Sequence, residues 1–330
     1  MKNILNQLFE HKPLDREQAK AVLQNMAMDV YNEAQIAAFI TVYLMRSITE
    51  EELSGFRDAI LEMALPINLG HHDFMDVCGT GGDGKNTFNI STLCAFVIAG
   101  AGYKVVKHGN YGVSSISGSS NVMEALGYRF TTDESELRAQ LEETGLCFLH
   151  APLFHPALKA VAGIRKQLGI KTFFNMLGPL VNPARPKCQQ VGVFNLALQR
   201  LYASVLSQTH TSFSVIYDLQ GYDEISLTGE VKVMTHQGTL LYSPNELNMP
   251  MVEDHQLFGG QSIEEGKTIF LKILNGEGSL AQRSVVITNA AMAILNQNDQ
   301  LNYQKALEQA RQSLERGHAL RVLNDLLKAG

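Results

Sequence analysis

The sequence predicts an α/β protein: a small N-terminal all-helical domain, then a larger α/β domain with a mostly parallel central sheet flanked by helices. Three observations predict it. Up to about residue 65, apolar residues recur only at helical spacing. From Phe74 onward, short apolar runs alternate with helical stretches, which is the pattern of βαβ units. The chain's 330 residues amount to two domains and can bury sizeable cores without staples.

In the helical part, Leu14 to Met26 carries Ala19, Val22, Leu23 and Met26 on one face. Asn32 to Met45 repeats the spacing with Ala34, Ile36, Ala38, Phe39, Val42 and Met45. Thr49-Glu50-Glu51-Glu52 opens a third helix, with an N-cap hydroxyl and acids in its first turn, that runs to about Met63. Pro66 and Gly70 then break the chain. The helical domain is set at 1–68 and the α/β domain at 69–330, with about 160–185 packing with the helices. Strands are expected at Phe74 to Cys78, Lys104 to Lys107, Leu146 to His150, Gln189 to Phe194 and Phe213 to Tyr217. Between them, Ser91 to Ala99, Ser119 to Leu126, Glu134 to Glu143, His155 to Leu168 and Leu196 to Thr209 read as helices. Val231 to Met234 and Thr239 to Ser243 read as an antiparallel pair. Val285 to Leu295 and Gln304 to Leu327 close the chain as helices. There are no internal repeats or low-complexity segments.

Hydrophobic residues at 45% and charged residues at 18% describe an ordinary soluble globular protein. A net charge of -6 argues against nucleic acid as a partner, because such domains read basic. It leaves room for a local basic pocket. Cys78, Cys94, Cys147 and Cys188 are far apart, form no C-x-x-C pair and read as buried thiols in a reducing compartment. The first residues lack the apolar core of a signal peptide, and the run around Leu93 to Tyr103 is too short to span a bilayer. The expectation is a cytoplasmic protein with no membrane partner.

The strand at Phe74 runs into Gly79-Thr80-Gly81-Gly82-Asp83-Gly84-Lys85-Asn86-Thr87, and a helix starts near Asn89 to Thr92. Such a turn gathers bare backbone N–H groups and a helix N-terminus, where phosphate binds well. Gly79, Gly81 and Gly84 also fit the dinucleotide fingerprint, but no Asp or Glu lies between Gly84 and Met123 to take a ribose hydroxyl. Gly79, Gly84 and Lys85 fit the Walker loop, but Asn86 stands where it needs Ser or Thr. The acid-free stretch instead offers Lys85, Lys104, Lys107, His108 and many hydroxyls, which suits a polyanion such as pyrophosphate.

The second strand leads into His108-Gly109-Asn110-Tyr111, at a carboxyl strand end where open α/β sheets bind ligands. Gly118-Ser119-Ser120 then offers another helix N-terminus. Asp223-Glu224 follows the Phe213 strand. Adjacent carboxylates in a turn ordinarily are solvated surface acids, but beside a polyanion site they become candidates for magnesium, which favours carboxylates plus substrate phosphates. Arg165 is either a solvated helix arginine or a fork for a planar carboxylate. His71-His72 reads as a surface turn rather than a metal site.

These motifs, continued by Phe154-His155-Pro156-Ala157, Leu168-Gly169 and Phe174-Asn175-Met176-Leu177-Gly178-Pro179-Leu180-Val181-Asn182-Pro183, resemble the anthranilate phosphoribosyltransferases, a glycosyltransferase family 3 group, in order and spacing over nearly the whole chain. The resemblance implies that phosphoribosyl pyrophosphate is bound by Gly79, Thr80, Gly81, Gly82, Asp83, Thr87, Asn89, Ile90, Ser91, Thr92, Lys107, Ser115 and Ser119. It implies that anthranilate is bound by Gly79, His108, Asn110, His155 and Arg165, with Arg165 facing the carboxylate. Ser91, Asp223 and Glu224 would hold Mg2+. A homodimer through the helical domain is implied, with the substrate cleft at the hinge. No residue is expected to act as nucleophile or general base, because the amine of anthranilate is itself the nucleophile; catalysis would rest on positioning and electrostatics. Tyr111 stands where the family often has Arg, Ile116 where it often has Lys or Arg, and Asn121 where it often has Asp. The nearest rival reading is a pyrimidine-nucleoside phosphorylase, against which Asp223-Glu224 and the Asn89 to Thr92 segment weigh. A non-catalytic nucleic-acid-binding relative is disfavoured by the net charge.

Overall fold

The computed structural model describes residues 1–70, 73–112, 116–298 and 300–329. In chain order the helical elements begin with α1 (Lys2–Phe9), α2 (Arg16–Ala27), α3 (Glu33–Met45) and α4 (Glu50–Glu62). There follow β1 (Phe74–Gly79), α5 (Ile90–Gly100), β2 (Lys104–Gly109), α6 (Ser119–Ala125), α7 (Glu134–Thr144) and β3 (Leu146–His150). Next come α8 (Ala151–Phe154), α9 (Lys159–Leu168), β4 (Cys188–Gly192), α10 (Leu196–Ser207), β5 (Ser212–Asp218), β6 (Val231–Thr235) and β7 (Gly238–Tyr242). The chain closes with α11 (Ile263–Leu274), α12 (Leu280–Gln297), α13 (Tyr303–Glu315) and α14 (His318–Ala329).

These elements form two compact units. One comprises Met1–Ile67 and Ala151–Arg185, the other Asn68–His150 and Pro186–Gly330. The sequence reading cut the chain at residue 68 and returned about 160–185 to the helices; here the returning segment is Ala151–Arg185.

Local chemistry starts each helix of the first unit. The side chains of Asp15, Asn32 and Thr49 each cap a helix, and their own backbone N–H groups donate in return to the side-chain oxygens of Gln18, Gln35 and Glu52. The returning segment joins through an aromatic core. Phe173 stacks on Phe56 at 4.7 Å and meets Tyr43 at 5.0 Å and Phe39 at 6.2 Å. Each such buried ring contributes about 2–3 kcal/mol. One element of this segment differs from expectation. His155 to Leu168 is not one helix: Pro156 forces His155 out of the helical region, at φ -119° and ψ 68°, and a 3-10 turn separates α8 from α9.

The second unit holds a seven-stranded sheet in the order β3-β2-β1-β4-β5-β6-β7. The first five strands are parallel, and β6 and β7 join antiparallel. From β1 the chain moves to β2, and from β4 it moves the other way to β5, so the order reverses between β1 and β4. That switch point is where such sheets bind ligands. Nearly every residue of α5 is buried, because the helix lies between the sheet and α12, α13 and α14. β4 is displaced from the expected Gln189 to Phe194, a boundary shift of the ordinary size. The expected single helix from Gln304 to Leu327 is broken at Gly317, whose φ is +75°. The sequence reading overlooked α11, although Ser262 caps it and Glu264 and Glu265 fill its first turn.

Candidate active site

The site of the second unit is built at the switch point. Gly79 and Gly192 end β1 and β4 as register partners. Both must be glycine because the turn after β5 crosses directly over them. A Cβ on Gly192 would stand 1.5 Å from the Asp223 carbonyl oxygen, and one on Gly79 would stand 2.4 Å from Asp223 Oδ2. The loop that follows is tied on both sides. Thr80 N donates to Gly192 O at 2.9 Å, and Gly81 N donates to Asp223 Oδ2 at 2.7 Å. Gly81, Gly82 and Gly84 all have positive φ, which suits residues without a Cβ. Among the described residues the buried Thr80 hydroxyl has no partner, which marks it as open to a ligand.

The far side of the loop is stitched to a segment that the sequence reading did not single out. Phe88 N donates to Leu257 O, Gly259 N to Asn86 O, and Asn86 Nδ2 to Gly260 O. Thr87 pairs with Phe258. Gly259 is a glycine because a Cβ would meet Thr87 O at 2.4 Å. The loop then enters α5 at Asn89, which makes no side-chain cap and instead reaches Ser117 O at 2.9 Å. In the first turn of α5, Ile90 N donates to Phe88 O at 2.7 Å and the Ser91 amide bonds the Glu224 carboxylate, while the positive end of the helix suits an anion.

From β2, Lys107 is almost wholly buried, at 1% exposure, and donates to Val77 O and to Ser91 Oγ. The adjacent His108 is buried too, and its N–H donates to Asp76 Oδ1 at 3.2 Å. Asn110 is exposed; its carbonyl accepts from Ser120 N and from the Ser119 hydroxyl.

Asp223 and Glu224 overturn the surface-acid reading, since both are buried, at 7% and 9% exposure. Ser91 hydrogen-bonds Glu224, and Asp83 lies beside both acids. Burial, then repulsion from Asp83 and Glu224, pushes the Asp223 carboxyl well above the usual range. Burial raises Glu224 as well, although Lys107 opposes it. The pair is thus a concentration of negative charge that the protein leaves only partly neutralised. Its all-oxygen donors fit a divalent cation shared with substrate phosphates. Among the described residues, no group of three or more His, Cys, Asp or Glu side chains forms a metal cage by itself.

The three departures of the 111–121 loop have local roles. Tyr111 donates its hydroxyl to Glu124 at 2.7 Å and sets its ring edge-on to His150 at 4.8 Å. Asn121 Oδ1 accepts from both Gly112 N and Gly118 N, closing the ends of the loop. Ile116 is exposed. Ser115, assigned to phosphoribosyl pyrophosphate, and His71-His72 lie outside the described residues.

His155 and Arg165 belong to the helical unit. Burial pushes the His155 imidazole down to about 4, so it is neutral at physiological pH. Arg165 is half-buried rather than a solvated arginine: its guanidinium lies 5.2 Å over the Phe174 ring. The four cysteines are all buried, as expected. Among the described residues, no helix is long and apolar enough to cross a membrane.

Comparison with known proteins agrees with this architecture. Residues 2–64 match the glycosyl transferase family helical bundle domain, and residues 71–320 match the glycosyl transferase family a/b domain. The anthranilate phosphoribosyltransferase of Flavobacterium psychrophilum is 52% identical over 326 residues, covering 99% of this chain and 98% of that protein. That of Bacteroides thetaiotaomicron is 51% identical over 328 residues, covering 99% of each. The crystal structure of the Thermus thermophilus enzyme superposes with a TM-score of 0.92 at 30% identity, covering 98% of both chains. The Saccharomyces cerevisiae enzyme in complex with PRPP and Mg shares the fold, with a TM-score of 0.90 at 24% identity over 98% of this chain and 96% of that one. With a buried acidic pair over a glycine-rich switch point and full-length identity above half, the chain belongs to the anthranilate phosphoribosyltransferase family.

Proposed function

We propose that the protein transfers the phosphoribosyl group of phosphoribosyl pyrophosphate to the amine of anthranilate, giving N-(5-phosphoribosyl)anthranilate and pyrophosphate in tryptophan biosynthesis. The observation that carries this reading is the buried Asp223–Glu224 pair facing the Gly79–Gly84 loop and the α5 N-terminus. A cation-binding acidic wall opposite an anion-binding wall suits a metal-bound pyrophosphate better than orthophosphate alone.

In this reading, the Gly79–Gly84 loop and the positive N-terminal end of α5 face the phosphate oxygens, with the Thr80, Ser91 and Ser119 hydroxyls supplementing them. Lys107 is held in place by Val77 O and Ser91 and stabilises negative charge growing on the leaving group. Asp223, Glu224 and Ser91 would hold magnesium, which supplies charge neutralisation on the departing pyrophosphate. The anthranilate nitrogen attacks the ribose anomeric carbon as the bond from that carbon to pyrophosphate oxygen breaks. The extra proton on nitrogen then leaves to water, and no side chain need act as base. Asn110, His108, His155 and Arg165 are assigned to anthranilate, with Arg165 on its carboxylate. The neutral state of His155 suits an aromatic ligand. A homodimer formed through the helical unit and a cytoplasmic location complete the proposal.

The test is loss of anthranilate fluorescence on mixing protein, anthranilate, phosphoribosyl pyrophosphate and magnesium. Loss that needs every component and stops on chelation supports the reading. No loss with folded protein, together with phosphorolysis of a pyrimidine nucleoside, would overturn it.

A further inference from the structure

We infer that Asn289, in the buried middle of α12, is a positioning residue for the Asp223–Glu224 pair; this rests on the reading of that pair as the magnesium-binding carboxylates. Asn289 is 0% exposed. Its amide grips both backbone groups of Ile225, the residue after Glu224. Oδ1 accepts from Ile225 N at 3.0 Å, and Nδ2 donates to Ile225 O at 2.8 Å and to Val285 O at 2.9 Å. A side-chain amide bonded to the N–H and C=O of one residue restrains the peptide units on both sides of it, in rotation as well as in position. Among the described contacts, Ile225 is the one group outside α12 that this side chain serves. An apolar residue of similar size would fill the core equally well, so these bonds are what the amide adds.

The anchor is itself held. Gln190 Nε2 donates to Asn289 O at 3.1 Å, and Gln190 sits in β4 two residues before Gly192, over which the Asp223 carbonyl crosses. From the other side, buried Asp218 at the end of β5 accepts from Gln220 N at 2.8 Å, Ser226 N at 3.2 Å and Ser226 Oγ at 2.6 Å. The acidic turn is therefore clamped at its ends by Asp218 and beside its carboxylates by Asn289. Groups that orient metal-binding carboxylates matter for affinity as well as rate.

The experiment compares Asn289→Ala and Asn289→Asp with Thr288→Val and Glu224→Gln. Thr288 is the neighbouring buried residue; its hydroxyl bonds Ser284 O within α12 and Tyr303 of α13, neither of which belongs to the acidic turn. The readouts are binding of Mn2+ in the presence of pyrophosphate, followed by paramagnetic resonance, and the Mg2+ concentration for half-maximal rate. Asn289→Ala is expected to weaken Mn2+ binding and raise the Mg2+ requirement about tenfold or more, with KM for anthranilate changed less than about twofold. Asn289→Asp, which keeps the shape and the acceptor but not the donors, should fall between it and wild type, and it decides the matter if the alanine variant does not fold. If both Asn289 variants only lower the melting temperature, as Thr288→Val should, the inference is overturned. If Glu224→Gln leaves Mn2+ binding unchanged, the metal reading itself fails, independently of Asn289.

Discussion

Two buried acidic centres in this molecule have opposite electrostatics. In the helical unit, Glu52 is fully buried and fully answered. It accepts from Leu14 N, Thr49 N, the Thr49 and Tyr43 hydroxyls and both terminal nitrogens of Arg46, which itself lies 4.6 Å over the Tyr43 ring. Burial works against its charge, but Arg46 and the two amides outweigh it, and its carboxyl is held below the usual range. In the α/β unit, Asp223 and Glu224 are as deeply buried but crowd against Asp83, with one cation, Lys107, close to Glu224, and both are raised. The difference teaches how to tell a structural acid from a functional one. Glu52 stabilises its fold by being ionised. The pair destabilises its own fold by being ionised, and under the proposed metal-binding role a cation would relieve that cost.

The comparison breaks first at Arg46. Arg46→Ala strands Glu52 in the core and should cost about 3–5 kcal/mol in urea unfolding, while turnover per folded molecule stays unchanged. Glu224→Gln should do the reverse, lowering kcat/KM on the order of 10²–10³-fold with little loss of fold, as initial rates and circular dichroism would show. Equal loss of turnover in Glu52→Gln would collapse the distinction. Gly192→Ala tests the geometry rather than the charge. Its Cβ would displace the Asp223 carbonyl, and a shift of about 1 Å should cost roughly 10²-fold in rate.

A smaller effect separates the two centres by pH. Glu52 has a lowered folded-state pKa, so its stabilisation is present above the ordinary carboxylate range and is lost as pH falls through the folded value. Asp223 and Glu224 have raised values, so the folded state binds more protons than the unfolded one, and their cost appears as pH rises out of the carboxylate range toward neutrality. Asp223→Asn should therefore stabilise metal-free protein by on the order of 1–2 kcal/mol at pH 8 and by little at pH 5. Melting curves at both pH values check it, and a gain that is the same at both would refute the electrostatic cause. The smallest effect is expected at Tyr111→Phe, which removes one exposed hydrogen bond to Glu124 and should change stability by less than about 1 kcal/mol.

Much of this was legible in the residues. The helices announced themselves through Asp15, Asn32 and Thr49, and the glycine loop through its φ-permissive residues, because capping and turn chemistry act within a few positions. Where local signals conflicted, the reading slipped. Pro156 broke a helix that apolar spacing suggested, and Gly317 divided the last one. The motif residues of the α/β site were named in advance, yet Asp223-Glu224 read in isolation as surface acids. Burial is a property of what packs around a residue, and the partners here are Gly81, Asp83, Ser91 and Lys107, all more than a hundred positions away.

What the sequence determined by itself was therefore most of what short-range chemistry sets: the majority of element types, the glycine-rich loop, the order of the units and the family to which its motifs point. What only the tertiary structure decided depends on contacts between distant segments. It widened the segment that returns to the helices from about 160–185 to Ala151–Arg185, joined Leu257–Gly260 to the glycine loop, buried two carboxylates against a third, and placed Asn289 on the backbone beside them. No local propensity encodes such juxtapositions, because their energies arise only when the chain has closed long loops and excluded water from the groups that meet.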